Sequence, residues 1–218
     1  PGLIVHTCDS GEQALKELPE VREAKKTAKD RENVRVSTTD PEARVMKMAD
    51  GGFRPAFNIE LATDTKSQVI TGVDVINRGT DADQASPMLE QVEERTEKTP
   101  QDYLADGGFA TLGEVDRMAG AGVTFYAPTR APRGDTRSQT EPRPGDSLAA
   151  ADWRVRMGTD EAKVIYKERA ATAECVNAQA RGRHALYQFV VRGPEKVTCV
   201  VLWMVITHNL LRWIALSG

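Results

Sequence analysis

The sequence predicts an α/β fold, in which short strands alternate with amphipathic helices along the chain. Two β-favouring runs, at residues 53–63 and 68–76, are joined by the turn signal Asp64-Thr65-Lys66-Ser67. Further on, strand-like and helix-like segments follow one another, which indicates a mixed α/β domain. The 218 residues are enough to bury one sizeable core.

The first third of the chain predicts one helix and then mostly strands. Residues 10–32 are rich in Glu, Lys and Ala and place Leu15, Leu18 and Val21 at helical intervals, which is typical of an exposed helix. A short strand is predicted at 34–39. In the run at 68–76 both alternating sets of residues are mostly apolar, which favours a central strand covered on both faces.

The rest of the chain predicts helices separated by short strands and by one long loop. Residues 128–148 are dense in Pro, Arg, Gly and Asp, which is typical of a surface loop. Its arginines are candidates for phosphate contacts, although a solvated loop is the simpler interpretation. The predicted helices are 81–96, 111–119, 146–157, 159–181 and 197–216, and the predicted strands are 102–105, 123–127 and 186–192.

The apolar segment 197–216 is almost long enough to cross a bilayer. Three polar residues near its end, His208, Asn209 and Arg212, would be costly in hydrocarbon. We therefore favour a buried helix that closes the domain, with Trp203 and Trp213 in the core, and expect no membrane partner.

Composition excludes several classes of protein and leaves the function open. The net charge of −3 lacks the basic character of a dedicated DNA-binding module. Three cysteines at unrelated spacings predict neither a disulfide framework nor a zinc site, and favour a reducing, cytoplasmic location.

The first candidate for chemistry is Asp106, in the phrase LADGGF after a predicted strand. Functional residues of α/β sheets gather at the carboxyl ends of strands, and the glycines that follow leave the carboxylate open to a metal or a phosphate. An aspartate that only shapes a turn is the alternative.

The second candidate is the predicted helix 159–181, which carries Tyr166, Arg169, Glu174 and Arg181. Glu174 and Arg181 are seven residues apart and share nearly one face. Small alanines around Glu174 suggest close packing, so a partly buried carboxylate with Arg169 as its cation is expected. A purely structural salt bridge is the alternative.

Together these residues resemble the DDE transposases of bacterial insertion sequences that have an RNase H-like catalytic fold. In that family the second catalytic Asp has a D-G/A-G-F/Y context, as at Asp106. The third carboxylate lies in a Y-x2-R-x(3–4)-E-x6-K motif, matched by Tyr166, Arg169 and Glu174, with Arg181 in place of the usual Lys. The phrases STTDPEARVMK, DGGFRPAFNIELATD and VLWMVITHNLLR also resemble the family, so the likeness covers residue 34 to the end.

The resemblance implies DNA cleavage and strand transfer with two Mg²⁺ (or Mn²⁺) ions, for which Asp106 and Glu174 would be ligands. It implies an RNase H-like mixed sheet flanked by helices and a catalytic domain at 34–218, preceded by the remnant of a helical insertion at 1–33. The expected partners are DNA, both transposon ends and target, and further copies of the chain when active. The expected location is the bacterial cytoplasm, at the nucleoid.

One departure from the family concerns the first catalytic Asp, which usually lies in a D-G-T-like phrase that is absent here. We expect that residue and the first strand to lie upstream, so that the chain is N-terminally truncated and inactive alone. Asp40, Asp64 and Asp74 are weaker stand-ins. A non-catalytic transposase fragment and a different RNase H-like nuclease remain the alternatives.

Overall fold

The structure is a computed structural model that describes residues 10–25, 27–48, 50–130 and 134–218. It confirms a mixed α/β fold made of small sheets and helices. The helices in the described residues are α1 (Ser10–Glu23), α2 (Ala28–Glu32), α3 (Ala85–Thr96), α4 (Leu112–Gly120), α5 (Leu148–Gly158), α6 (Asp160–Arg169), α7 (Cys175–Gly182) and α8 (Pro194–Ser217). A π turn, Ala170–Glu174, joins α6 to α7.

The strands form three separate pairs, where the sequence had predicted one mixed sheet. β1 (Arg44–Lys47) pairs antiparallel with β2 (Phe53–Ala56), β3 (Asn58–Thr63) pairs with β4 (Ile70–Ile76), and β5 (Asp102–Leu104) pairs parallel with β6 (Thr124–Tyr126). Each ladder is short, because turns or helices follow within a few residues.

The chain divides into two compact units. The first contains the described parts of residues 1–59 together with 75–79 and 188–201. In it Arg44 of β1 reaches Glu17 and Glu20 of α1 at 2.9 and 3.2 Å, which ties the hairpin to the helix.

The second unit contains residues 60–74, the described parts of 80–187, and 202–218. Its core lies where the β5–β6 pair packs with helices α3, α4 and α5. Phe125 and Met118 are almost fully buried there, and the indole of Trp153 donates a 3.1 Å hydrogen bond to the carbonyl of Ala127. This core holds the carboxyl end of β5, and therefore Asp106, in place.

The sequence predicts helix caps at Thr111, at Asp146 or Ser147, and at Thr159 or Asp160. The structure confirms Thr111 and, of the two alternatives in each other case, has Ser147 and Thr159 as the caps. Each hydroxyl accepts a hydrogen bond from the amide three residues on, as in a standard N-cap. In each case the capping hydroxyl bonds an amide that would otherwise be unpaired, so a nearby side chain determines where the helix begins.

Three predictions were wrong. No strand forms at 34–39 or at 186–192, where neither segment acquires a pairing partner. Helix α8 forms and buries Val197 and Val201 completely, but the placement of both tryptophans in the core was wrong, because Trp203 and Trp213 are 70% and 65% exposed. It is the one described helix long and apolar enough to cross a membrane, with 22% of its apolar window buried.

Candidate active site

Asp106 lies two residues beyond the end of β5, in a tight loop with Gly107 and Gly108. Its Oδ1 accepts a 3.2 Å hydrogen bond from the amide of Gly108. A Cβ on Gly107 would lie 2.7 Å from Nε of Arg130, and one on Gly108 would lie 2.7 Å from Oδ2 of Asp81. A side chain at either position would crowd a neighbouring side chain, and one at Gly107 would also lie 3.1 Å from the main-chain carbonyl of Pro128. The two glycines therefore let the loop lie close to Arg130 and Asp81.

Two arginines face the Asp106 carboxylate. Arg130 donates from Nη2 to Oδ1 at 3.0 Å, and Nη2 of Arg169 lies 3.7 Å from Oδ2. The Asp106 side chain is 49% exposed, so it is accessible from solvent as well as paired. Because solvent screens half-exposed ion pairs, these two pairs contribute little to the stability of the fold. They show instead where the two guanidinium groups lie relative to the Asp106 carboxylate.

Arg169 also contacts Glu174, from Nη1 to Oε1 at 3.5 Å. One guanidinium therefore joins Asp106 and Glu174, two carboxylates that are far apart in the sequence. Glu174 is 63% exposed, so the expectation of a partly buried carboxylate was wrong. The alanines beside it do not enclose its side chain.

Tyr166 belongs to the same cluster. Burial raises the pKa of its hydroxyl, and the charges of Asp106 and Glu174 raise it further against the opposing effect of Arg169. The hydroxyl therefore keeps its proton at neutral pH and is available as a hydrogen-bond donor.

The fifth predicted site residue, Arg181, does not join this cluster. Its side chain is exposed and forms no ion pair within the described part of the chain. In the loop after β6, Arg137 and Arg143 both contact Asp135, at 2.8 and 3.2 Å. These two arginines are engaged in the loop itself, and Arg133 lies outside the described residues.

Of the three stand-ins for the missing Asp, Asp40 and Asp64 accept hydrogen bonds from main-chain amides. Asp40 accepts a hydrogen bond from the amide of Gly193 at 3.1 Å, and Asp64 caps its turn through Ser67. Asp74 is exposed on β4.

Sequence reasoning missed Arg130 and Asp81 as neighbours of the Asp106 loop. Neither stands at a motif spacing from Asp106. Arg130 lies just beyond β6, the strand that pairs with β5, so the pairing of these two strands was the signal that could have found it.

The cluster offers hard oxygen donors of the type that Mg²⁺ and Mn²⁺ prefer. Asp106 and Glu174 converge on one guanidinium, which shows that a single cationic group can contact both carboxylates. In the described ranges no group of three or more His, Cys, Asp or Glu side chains gathers to hold a metal. The two carboxylates fit a divalent ion in donor type, as part of a ligand set.

An acidic pair at the end of a strand and on a neighbouring helix, flanked by arginines, is the kind of site that acts on phosphate esters through divalent metals. The family model for the transposase DDE domain matches residues 22–210, and the chain belongs to that family. No curated protein and no solved structure matches the chain. Family membership connects the chain to transposition and to nuclease chemistry on DNA, and members generally use divalent metal ions.

Proposed function

We propose that this chain is the catalytic domain of an insertion-sequence transposase that cleaves DNA and transfers strands by metal-dependent phosphoryl transfer. The observation that supports this most directly is the contact of Asp106 and Glu174 with the same Arg169 guanidinium. The motif had predicted that these carboxylates act together.

Asp106 and Glu174 would hold Mg²⁺ or Mn²⁺, which when bound supplies an activated water or DNA 3′-hydroxyl and stabilises the leaving oxygen. The chain's own groups position the reactants. Arg130 and Arg169 present guanidinium groups that can bind a phosphate in bidentate fashion. Without DNA, Arg169 contacts both carboxylates and Arg130 contacts Asp106. Tyr166, with its proton retained, can donate a hydrogen bond to a phosphate oxygen.

The proposal includes an RNase H-like arrangement, a catalytic domain at 34–218 and a helical insertion remnant at 1–33. It also includes cytoplasmic action on transposon ends and target DNA by an assembly of several copies. Arg181 would take the place of the family's Lys as a phosphate contact.

A second candidate is a transposase fragment that has no catalysis of its own. The absence of a third carboxylate from the metal-type groups in the described residues favours it. With two of three ligands a metal binds weakly, and we expect the isolated chain neither to nick nor to join DNA that carries the element's ends. Cleavage without joining would instead indicate another RNase H-like nuclease.

The experiment that tests the proposed site is titration with Mn²⁺, followed by electron paramagnetic resonance. We expect weak binding that is lost in Asp106→Asn and in Glu174→Gln. The matched control is Glu168→Gln, which removes an exposed carboxylate from the same helix, next to Arg169. Binding that survives both substitutions, or that Glu168→Gln abolishes equally, would overturn the assignment.

A further inference from the structure

The helix that carries the second carboxylate is interrupted where the site forms. Arg169 ends α6, Glu174 ends the π turn, and α7 continues from Cys175. Single π turns within α-helices often lie at functional sites and mark an extra residue in the helix. Here the turn contains the four residues that separate Arg169 from Glu174, and Glu174 itself is its last residue.

Arg169 and Glu174 are five residues apart, a spacing that does not suit an α-helix. At about 100° per residue, five residues leave two side chains about 140° apart around the axis, on different faces. The structure nevertheless brings Nη1 of Arg169 to 3.5 Å from Oε1 of Glu174. The wider π turn removes most of that angular difference, because its hydrogen bonds close at five residues.

The main chain of the π turn is held by two side chains. The hydroxyl of Thr172, which is 4% exposed, donates to the carbonyl of Glu168 at 2.8 Å. The side-chain amide of Gln68 donates to the carbonyl of Ala171 at 3.4 Å. The Thr172 bond is the local bond that a helical threonine makes to the carbonyl four residues before it. The Gln68 bond comes from a residue far away in the sequence, so it ties the π turn to another part of the fold.

Gln68 itself is fixed in an unusual conformation. Its φ of 59° lies in the left-handed region, which costs a non-glycine residue free energy unless the surroundings hold it. The ring Nε2 of His208 lies 2.9 Å from the carbonyl of Gln68, and Arg212 donates to the carbonyl of Ser67 at 2.8 Å. Helix α8 therefore holds the turn that places the Gln68 amide on the π turn.

We infer that the π turn is the positioning device of the candidate site, and that Gln68 is a positioning residue that holds it. The functional meaning of this inference rests on the proposed function. The π turn absorbs the extra residue between Arg169 and Glu174, so that both face Asp106 while α6 and α7 keep their own packing.

A pair of single-residue deletions tests the turn. Ala171 lies in the π turn and Ala178 lies in regular α7, and both are exposed. Removing Ala171 makes the helix continuous and puts Arg169 and Glu174 four positions apart, about 40° around the axis. Removing Ala178 instead takes a residue from a regular α-helix, which contains no inserted residue to lose.

We expect ΔAla171 to keep a Tm close to that of the wild type. We expect ΔAla178 to lower the Tm, because the buried Ala180 beyond it rotates out of register. If ΔAla171 destabilises the chain as much as ΔAla178, the inference is overturned. The Tm comparison needs no metal, so a chain that fails to bind Mn²⁺ would refute the proposed function and leave this test intact.

A substitution tests Gln68. Gln68→Met keeps the length of the side chain and its charge of zero but removes the amide donor. A neutral hydrogen bond is worth about two- to tenfold in an equilibrium constant. This bond is long and exposed, so we expect the Mn²⁺ Kd to rise by about twofold, the low end of that range. Gln101→Met, at an exposed position, should leave it unchanged. An unaltered Kd in Gln68→Met, together with wild-type binding in the control, would show that Gln68 does not position Glu174.

Discussion

Glu114 is the fully buried carboxylate on which the junction of α3 and α4 depends. Its side chain is 0% exposed. Oε2 accepts from the amide and the hydroxyl of Ser86, at 2.8 and 2.6 Å, and Oε1 accepts from the guanidinium of Arg117. Arg117 in turn donates to Asp83 at 2.9 Å. The network joins the first turns of two helices.

We expect Glu114→Ala to destabilise the protein by about 2–4 kcal/mol. The amide of Ser86 would lose its acceptor in the interior, and an unsatisfied buried donor costs about 1–3 kcal/mol. The lost side-chain volume adds to this. The Arg117 pair adds about 1 kcal/mol or less, because that guanidinium is half exposed and stays solvated. For a chain of this size, the Tm should fall by about 4–16 °C.

The assay is urea unfolding followed by circular dichroism, with two companion variants. Glu114→Gln keeps an oxygen acceptor for Ser86 and should lose clearly less stability than the alanine variant. Glu90→Ala, at an exposed position on α3, should stay within about 0.5 kcal/mol of the wild type. The reasoning fails if Glu114→Ala unfolds at the same urea concentration as Glu90→Ala.

Two further predictions concern the Asp106 loop and the loss of stability in acid. Gly107→Ala should lower the Tm, because its Cβ would lie 3.1 Å from the main-chain carbonyl oxygen of Pro128, which cannot turn aside as a side chain can. Gly120→Ala, where a Cβ meets no atom within 4 Å, should raise it by helix propensity, and equal shifts would contradict this. The hydrogen bond from Arg154 holds the pKa of Asp146 below its ordinary value of 3.8, so this carboxylate stabilises the fold above that pH. The difference in unfolding free energy between wild type and Asp146→Asn should therefore be constant at neutral pH and shrink as pH falls below 3.8; a difference that grows in acid would refute it.

Local signals in the sequence were enough for the helix starts and for the acidic pair. Ser147 and Thr159 cap helices through their own hydroxyls, which depends on residues no more than three positions away. Asp106 and Glu174 were found through motifs, and the structure places both on Arg169. Their roles in catalysis stay a prediction.

Features that depend on distant partners were not predicted. Residues 34–39 have β propensity, but propensity forms no strand without a neighbour to pair with. The exposure of Trp203 depends on what packs against α8, and an apolar helix sequence does not contain that information. The π turn was also missed, because a five-residue spacing between charged residues carries no sign of how the helix will accommodate it.

Within the described residues, strand β4 pairs with β3 alone. Main-chain groups on both edges of β4 are bonded to side chains. The amide and carbonyl of Ile70 exchange hydrogen bonds with Asn209, the carbonyl of Thr71 accepts from Arg95, and the amide of Val73 donates to Gln91.

Unpaired strand groups are a template on which other chains can add, so a side chain that bonds such a group on the free edge of β4 protects against intermolecular β-pairing. Helix α8 supplies Asn209, and α3 supplies Arg95 and Gln91. A change that loosens either helix would therefore expose main-chain groups of β4, and the chain would tend to aggregate before it unfolds.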